Sequence, residues 1–237
     1  MILRLAPLPD TLKGPNDEAY KGKVPRRARF LEPGAASSLL RLVQKCPWLT
    51  MTDVYRSPDS SLAARKTKRG VQPPGFSAHN FGIAIDLDVG ACLKAAQIRY
   101  PELIEEMRQA GWHCHRRDLD STGMESWHWN FLGDRSEDLL KQADLDAANT
   151  WAWPVEARIM ELYGDQFKLT DLQVQEALAA LRFYTGDLDG KFGTLSHEAL
   201  AAFQRAWGLA PDGAPGPRTN RVLAVVSAEI ELVTVTA

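Results

Sequence analysis

Two short stretches of this 237-residue chain hold side chains able to bind a metal ion and move a proton. The first is Ser77-Ala78-His79-Asn80-Phe81-Gly82-Ile83-Ala84-Ile85-Asp86, and the second is Glu125-Ser126-Trp127-His128. Together they offer two imidazoles, one carboxylate ligand and one further carboxylate. Catalytic zinc takes three nitrogen or oxygen ligands from the protein and leaves its fourth position to water. The pKa of that water falls to about 7, so a nucleophile exists at neutral pH. A nearby unligated Glu can accept the water's proton and pass it to a leaving amine. His79 and Asp86 are seven residues apart, too far for one helical face, but a loop feeding a strand can bring both to one site. Glu125 and His128 are three apart in a β-like stretch with Trp127 and Trp129. On spacing alone, a surface histidine beside unrelated acids fits as well.

Other candidates carry less. His113 and His115 flank Cys114 and would face the same way on a strand, but Arg116 and Arg117 beside them disfavour a cation. Asp88 could share a strand face with Asp86, or be an acid satisfied elsewhere. Arg65, Lys66, Lys68 and Arg69 read as a solvated surface. Cys46, Cys92 and Cys114 are odd in number and widely spaced, which is no disulfide framework; free, buried thiols are expected.

The elements that must position these residues follow from periodicity. Residues 35–45 place Leu39, Leu40 and Val43 on one helical side, and Pro47 stops that helix. Residues 49–56 and 81–89 alternate as strands, and 125–132 reads as a short aromatic strand. Residues 101–111 form a helix with Pro101 in its first turn and Gly111 at its end. Residues 1–30 look irregular, 57–78 mostly loop, and 134–150 a linker or linking helix. The last third repeats itself: LDGKFGTLSHEAL (188–200) aligns with PDGAPGPRTNRVL (211–223) at an offset of 23, Asp189-Gly190 on Asp212-Gly213 and Leu200 on Leu223. Thr170 with Gln173 makes a capping box before a further helix. His197 falls in this part and is expected at the surface. Three short helices whose apolar stripes must meet imply a small bundle. The tail 229–237 alternates like a strand.

Composition bounds the rest. Apolar residues are 45% and charged residues 24%, a globular balance, and the net charge of −2 lacks the basic footprint of a nucleic-acid binder. No stretch approaches the roughly 20 apolar residues of a membrane span. Pro7 and Pro9 interrupt the apolar N-terminus, so no secretory signal is expected there and synthesis in the cytoplasm is.

The pattern S-x-H-x-x-G-x-A-x-D followed by E-x-W-H resembles the signature of VanY-like zinc D-alanyl-D-alanine carboxypeptidases, a family that includes L-alanyl-D-glutamate endopeptidases of phage lysins. The resemblance covers about residues 30–133 and implies an α+β domain, a small antiparallel sheet flanked by helices. It implies that His79, Asp86 and His128 bind one zinc ion, that Glu125 is the general base, and that Ser77 lies beside the substrate. Tyr55-Arg56-Ser57 resembles the family's Y-R-S segment, so Tyr55 and Arg56 would contact the bound peptide. A fixed Arg56 guanidinium could hold a substrate carboxylate or the oxyanion. The Gln that often follows Y-R-S is missing from SPDSSLAARK.

The repeat resembles the peptidoglycan-binding domain type 1 from Tyr184 through Phe203-Gln204 to Asp212-Gly213, with Thr194 where a Pro is usual. The two resemblances imply a zinc peptidase domain over 1–133 with an irregular lead-in 1–30, a linker over 134–157 and an all-α three-helix wall-binding domain over 158–237. The expected activity is hydrolysis of an amide bond in the stem peptide of peptidoglycan by a phage or prophage endolysin. It would act as a monomer on the wall after release, with no nucleic-acid or membrane partner. Tethering would raise the effective concentration of an insoluble substrate. Removal of terminal D-Ala is the alternative, and a wall-binding protein with a purely structural zinc is a third reading. A general protease is the fourth.

Overall fold

The computed structural model describes residues 1–67, 71–114, 125–145 and 152–236. Its elements follow in the order β1 (Ile2–Pro7), β2 (Phe30–Leu31), α1 (Pro33–Lys45), β3 (Met51–Asp53), α2 (Pro58–Thr67), β4 (Ala84–Leu87), α3 (Val89–Ala96), α4 (Tyr100–Gln109), β5 (Trp112–Cys114), β6 (His128–Phe131), α5 (Ser136–Leu145), α6 (Ala152–Tyr163), α7 (Asp171–Ala180), α8 (Thr194–Ala206), α9 (Pro217–Val226) and β7 (Glu229–Leu232). They fall into two compact units. One comprises Met1–Leu3, Ser57–Asn80 and Leu162–Ile230, the other Arg4–Arg56, Phe81–Glu161 and Glu231–Ala237.

The second unit is built on an antiparallel sheet of order β3-β4-β6-β5. Because successive side chains in a strand point to opposite faces, Ile85 and Trp129 pair on one face, fully buried, while Asp86 and His128 pair on the other. Helix α1 buries Ala35, Ala36, Leu39 and Leu42, starts at Pro33, and is capped by the Glu32 carboxylate, which accepts from Ala35 N at 2.9 Å. Helix α4 buries Leu103, Ile104 and Met107. The sequence gives no sign of α3, which starts because Asp88 caps it by accepting from Ala91 N at 2.9 Å. Asp88 is thus a satisfied acid.

Two sequence expectations need correction. The lead-in 1–30 is not irregular throughout: Ile2–Pro7 is a strand with Leu3 and Leu5 buried and Ile2 and Arg4 outward, the period of two that the flanking prolines disguise. It sits in a sheet of order β2-β1-β7, so the alternating tail is also a strand. Residues 57–78 are not mostly loop either. Ser57 accepts from Ser60 N at 3.3 Å, Pro58 presets the first turn, and α2 follows. Among the described residues, the stretch read as a linker or linking helix holds α5 and, beyond it, the start of α6.

The first unit contains α7, α8 and α9, whose Val174, Leu178, Leu200, Phe203, Val222 and Leu223 make one core, with Leu62 and Phe76 of the 57–80 segment packed against it. The Thr170–Gln173 capping box is present. Each Asp-Gly turn of the repeat is held by one buried glutamine. Gln175 Nε2 reaches Asp189 Oδ1 (3.2 Å) and Ser196 Oγ (3.1 Å), and its Oε1 accepts from Gly190 N (2.8 Å). Gln204 does the same with Asp212 Oδ1 (2.7 Å), Thr219 Oγ1 (3.1 Å) and Gly213 N (2.8 Å). Gly213 has φ +69°, and a Cβ there would lie 2.7 Å from the His197 carbonyl oxygen. His197 itself is exposed and bonds Gly213 O through Nδ1 at 2.8 Å.

Candidate metal centre

The three predicted ligands arrive from two directions. Asp86 of β4 and His128 of β6 are cross-strand partners, and His128 Nδ1 lies 2.8 Å from Asp86 Oδ1. His79 sits in the single 3₁₀ turn Ala78–Phe81 that runs into β4 and is 2% exposed. Gly82, in the left-handed region at φ +67°, turns the chain between them; a Cβ there would meet Glu32 N at 2.7 Å, so the motif's glycine answers a close backbone approach. One donor atom from each of His79, Asp86 and His128 lies within 4.8 Å of the other two. Donors around a tetrahedral zinc sit roughly 3.3 Å apart, given bonds of about 2.0–2.2 Å, so small rotamer adjustments suffice.

The donor chemistry fits a cation. His128 Nε2 faces Asn130 Oδ1 at 3.1 Å. In the tautomer that donates Nε2–H to Asn130 Oδ1, Nδ1 is an acceptor beside the Asp86 carboxylate oxygen, a donor pair suited to a metal ion. Metal-bound histidines commonly give their other N–H to such a partner, which fixes tautomer and ring orientation. Sequence reasoning missed Asn130; the register i, i+2 from His128 on the same strand face was its available signal.

Glu125 opens the turn that delivers His128, and its carbonyl accepts from His128 N at 3.0 Å. Its φ of +64° is an uncommon backbone for a non-glycine residue. Arg56 is held by Asp53: Nε lies 2.9 Å from Asp53 Oδ2, and Nη2 reaches the same oxygen. Asp53 was not foreseen. Tyr55 is 7% exposed, stands edge-on to Phe30, and burial pushes its phenol up to about 12. Ser77 is half-buried and its carbonyl accepts from Asn80 N. Tyr20 was also missed. Burial, then the carboxylates of Asp53, Asp86 and Asp17, push its phenol up to about 12 against the opposing Arg56.

His113 is buried on β5 opposite Asn130, and neither ring nitrogen has a hydrogen-bond partner among the described residues. Burial, with Arg108 adding to it, pushes its pKa down to about 4. His115, Arg116 and Arg117, like Lys68 and Arg69, lie outside the described residues. All three cysteines are free and buried. A cavity of about 500 Å³ lined by Ser38, Lys45, Glu106 and Phe131, among others, includes none of the candidate residues.

Comparison with known proteins finds a family match in the C-terminal part. Residues 172–223 match the putative peptidoglycan binding domain. The repeat predicted this, and the peptidoglycan-binding domain takes in both glutamine-held turns. A further match is to the N-acetylmuramoyl-L-alanine amidase CwlM of Mycobacterium tuberculosis, 44% identical over 69 residues, which are 29% of this chain and 16% of that protein. Among solved structures, one described as the LdcB LD-carboxypeptidase, which "reveals the molecular basis of peptidoglycan recognition", is similar at TM-score 0.41 and 18% identity, covering 63% of this chain and 81% of that one. Among the described residues, no helix is long and apolar enough to cross a membrane.

Proposed function

We propose that the chain is a zinc-dependent peptidase that hydrolyses an amide bond in the stem peptide of peptidoglycan. One observation carries the reading: His79, Asp86 and His128 converge to within 4.8 Å in a chain whose residues 172–223 match a peptidoglycan-binding domain. The amidase match, made to a protein named for acting on the same polymer, supports it.

In this reading His79, Asp86 and His128 hold the metal, which when bound supplies a Lewis acid and lowers the pKa of water to about 7. Glu125 takes the proton of the attacking water and returns it to the leaving amine. Its left-handed backbone agrees with such a role, since strained residues cluster at active sites. Asp53 fixes the Arg56 guanidinium, which holds a carboxylate of the peptide or the developing oxyanion. Asn130 keeps His128 in its ligating orientation. Ser77 and Tyr55 are assigned to the substrate side by their motifs alone. The wall-binding domain keeps the enzyme at its insoluble substrate.

Mass spectrometry of purified peptidoglycan after digestion, beside a Glu125→Ala control, tests the reading. New termini within the stem peptide indicate an endopeptidase, the endolysin-like activity we favour. Loss of single D-Ala units indicates a carboxypeptidase. Identical products from wild type and Glu125→Ala contradict the catalytic assignment and leave a wall-binding protein.

A further inference from the structure

We infer that the peptidoglycan-binding unit is also the scaffold of a metal ligand: Arg221 of α9 clamps Gly75 and Phe76 and thereby positions His79. The inference rests on the reading of His79 as a ligand. A tether needs no more than a linker, yet the segment Ser57–Asn80, with Ser77 and His79, belongs to the same compact unit as residues 162–230.

The clamp is specific in its chemistry. Arg221 is 6% exposed, and its Nε donates to Gly75 O. Its guanidinium carbon lies 4.7 Å from the centroid of the Phe76 ring and 5.3 Å from that of Phe167, and Arg218 stands 4.7 Å from the same Phe76 ring. Cations seek the faces of aromatic rings at such distances. Gly75 has φ +85°, and a Cβ there would sit 3.5 Å from Arg221 O, so α9 and the loop are in backbone contact. From Gly75 the tie passes to the ligand within five residues. Gly75 N donates to Asn80 Oδ1 (3.1 Å), Asn80 Nδ2 to Ser61 Oγ (2.9 Å), and Asn80 N to Ser77 O (2.9 Å). Asn80 is fully buried and is the chain neighbour of His79.

The repeat itself does not require this arginine. At the offset of 23, position 221 corresponds to Glu198, which is exposed. Arginine is almost never fully buried unless it is paired, and here the partners include the loop that leads to His79 as well as Phe167. Arg221 and Phe76 are therefore positioning residues.

The test uses full-length protein. Phe76→Ala and Arg221→Ala are titrated with zinc against a chromophoric chelator and with cobalt(II), followed by its visible absorption bands; far-UV circular dichroism reports the helices. Ligand-supporting partners change metal affinity about 10- to 100-fold, so both variants are expected to bind zinc at least about tenfold more weakly with helicity retained. His79→Ala is run in parallel. Unchanged zinc binding in His79→Ala removes the ligand assignment itself. Loss of binding in His79→Ala together with wild-type affinity in Phe76→Ala overturns the clamp and leaves the metal reading standing. Should Arg221→Ala lose its helices, Phe76→Ala, whose substitution lies on the loop, decides alone.

Discussion

Asp86 and His128 face each other across the β4–β6 ladder at 2.8 Å, and Asn130, two residues on from His128, takes the imidazole's other nitrogen at 3.1 Å. Strand register alone thus brings the two proposed ligands and their proposed support together. Asn130→Ala is predicted to weaken zinc binding about 10- to 100-fold, read by chelator competition, with Asn130→Gln intermediate at best because its longer arm misplaces the oxygen.

In the proposed mechanism Glu125 serves the chemistry and does not bind the metal. Glu125→Gln should keep one zinc and lose about 10²- to 10⁴-fold in kcat, measured on a soluble stem-peptide substrate. Because φ is +64° at this position, Glu125→Gly should be as inactive yet more stable, by about 1–2 kcal/mol, in denaturant unfolding.

His113 sets an acid limb. Its folded pKa lies near 4, below the ordinary 6.5. Between these values the unfolded chain binds the extra proton, so this contribution is present above about pH 6.5 and lost as pH falls toward 4. The full loss is on the order of 3 kcal/mol. His113→Leu, which also removes two buried ring nitrogens with no partner among the described residues, should flatten unfolding stability between pH 6.5 and 4. The metal-free protein is the right sample, since acid also releases metal from histidines.

Gln204 ties its turn through Asp212, Gly213 and Thr219. Gln204→Leu removes the partner of Gly213 N and of Thr219 Oγ1 and should cost about 1–3 kcal/mol, seen as a lowered melting temperature of the full chain. Gly213→Ala should be comparably harmful, because its methyl meets the His197 carbonyl.

What was legible in the sequence depended on how chemistry and packing write themselves there. His79, Asp86 and His128 stood out through the resemblance of their two motifs to a known signature, since spacing alone fitted a surface histidine beside unrelated acids as well. The helical repeat was legible through its Asp-Gly turns and apolar faces. Helix α2 was not, since its only large apolar residue is Leu62 and its start looks like a loop of serines and a proline. The strand β1 was hidden by Pro7 and Pro9. Gln175, Gln204, Asp53 and Asn130 act through tertiary hydrogen bonds that no period reveals. Arg221 is buried where its repeat counterpart Glu198 is exposed, so the repeat carries no sign of its contacts.

The proposed function stands on His79, Asp86 and His128 forming one metal centre. The most direct measurement is a zinc isotherm of the metal-free full chain beside the His79→Ala, Asp86→Ala and His128→Ala proteins. One tight site per chain is expected in the wild type, and its loss, or a weakening of at least about 100-fold, in each variant. Wild-type affinity retained in all three variants would contradict the metal-centre assignment.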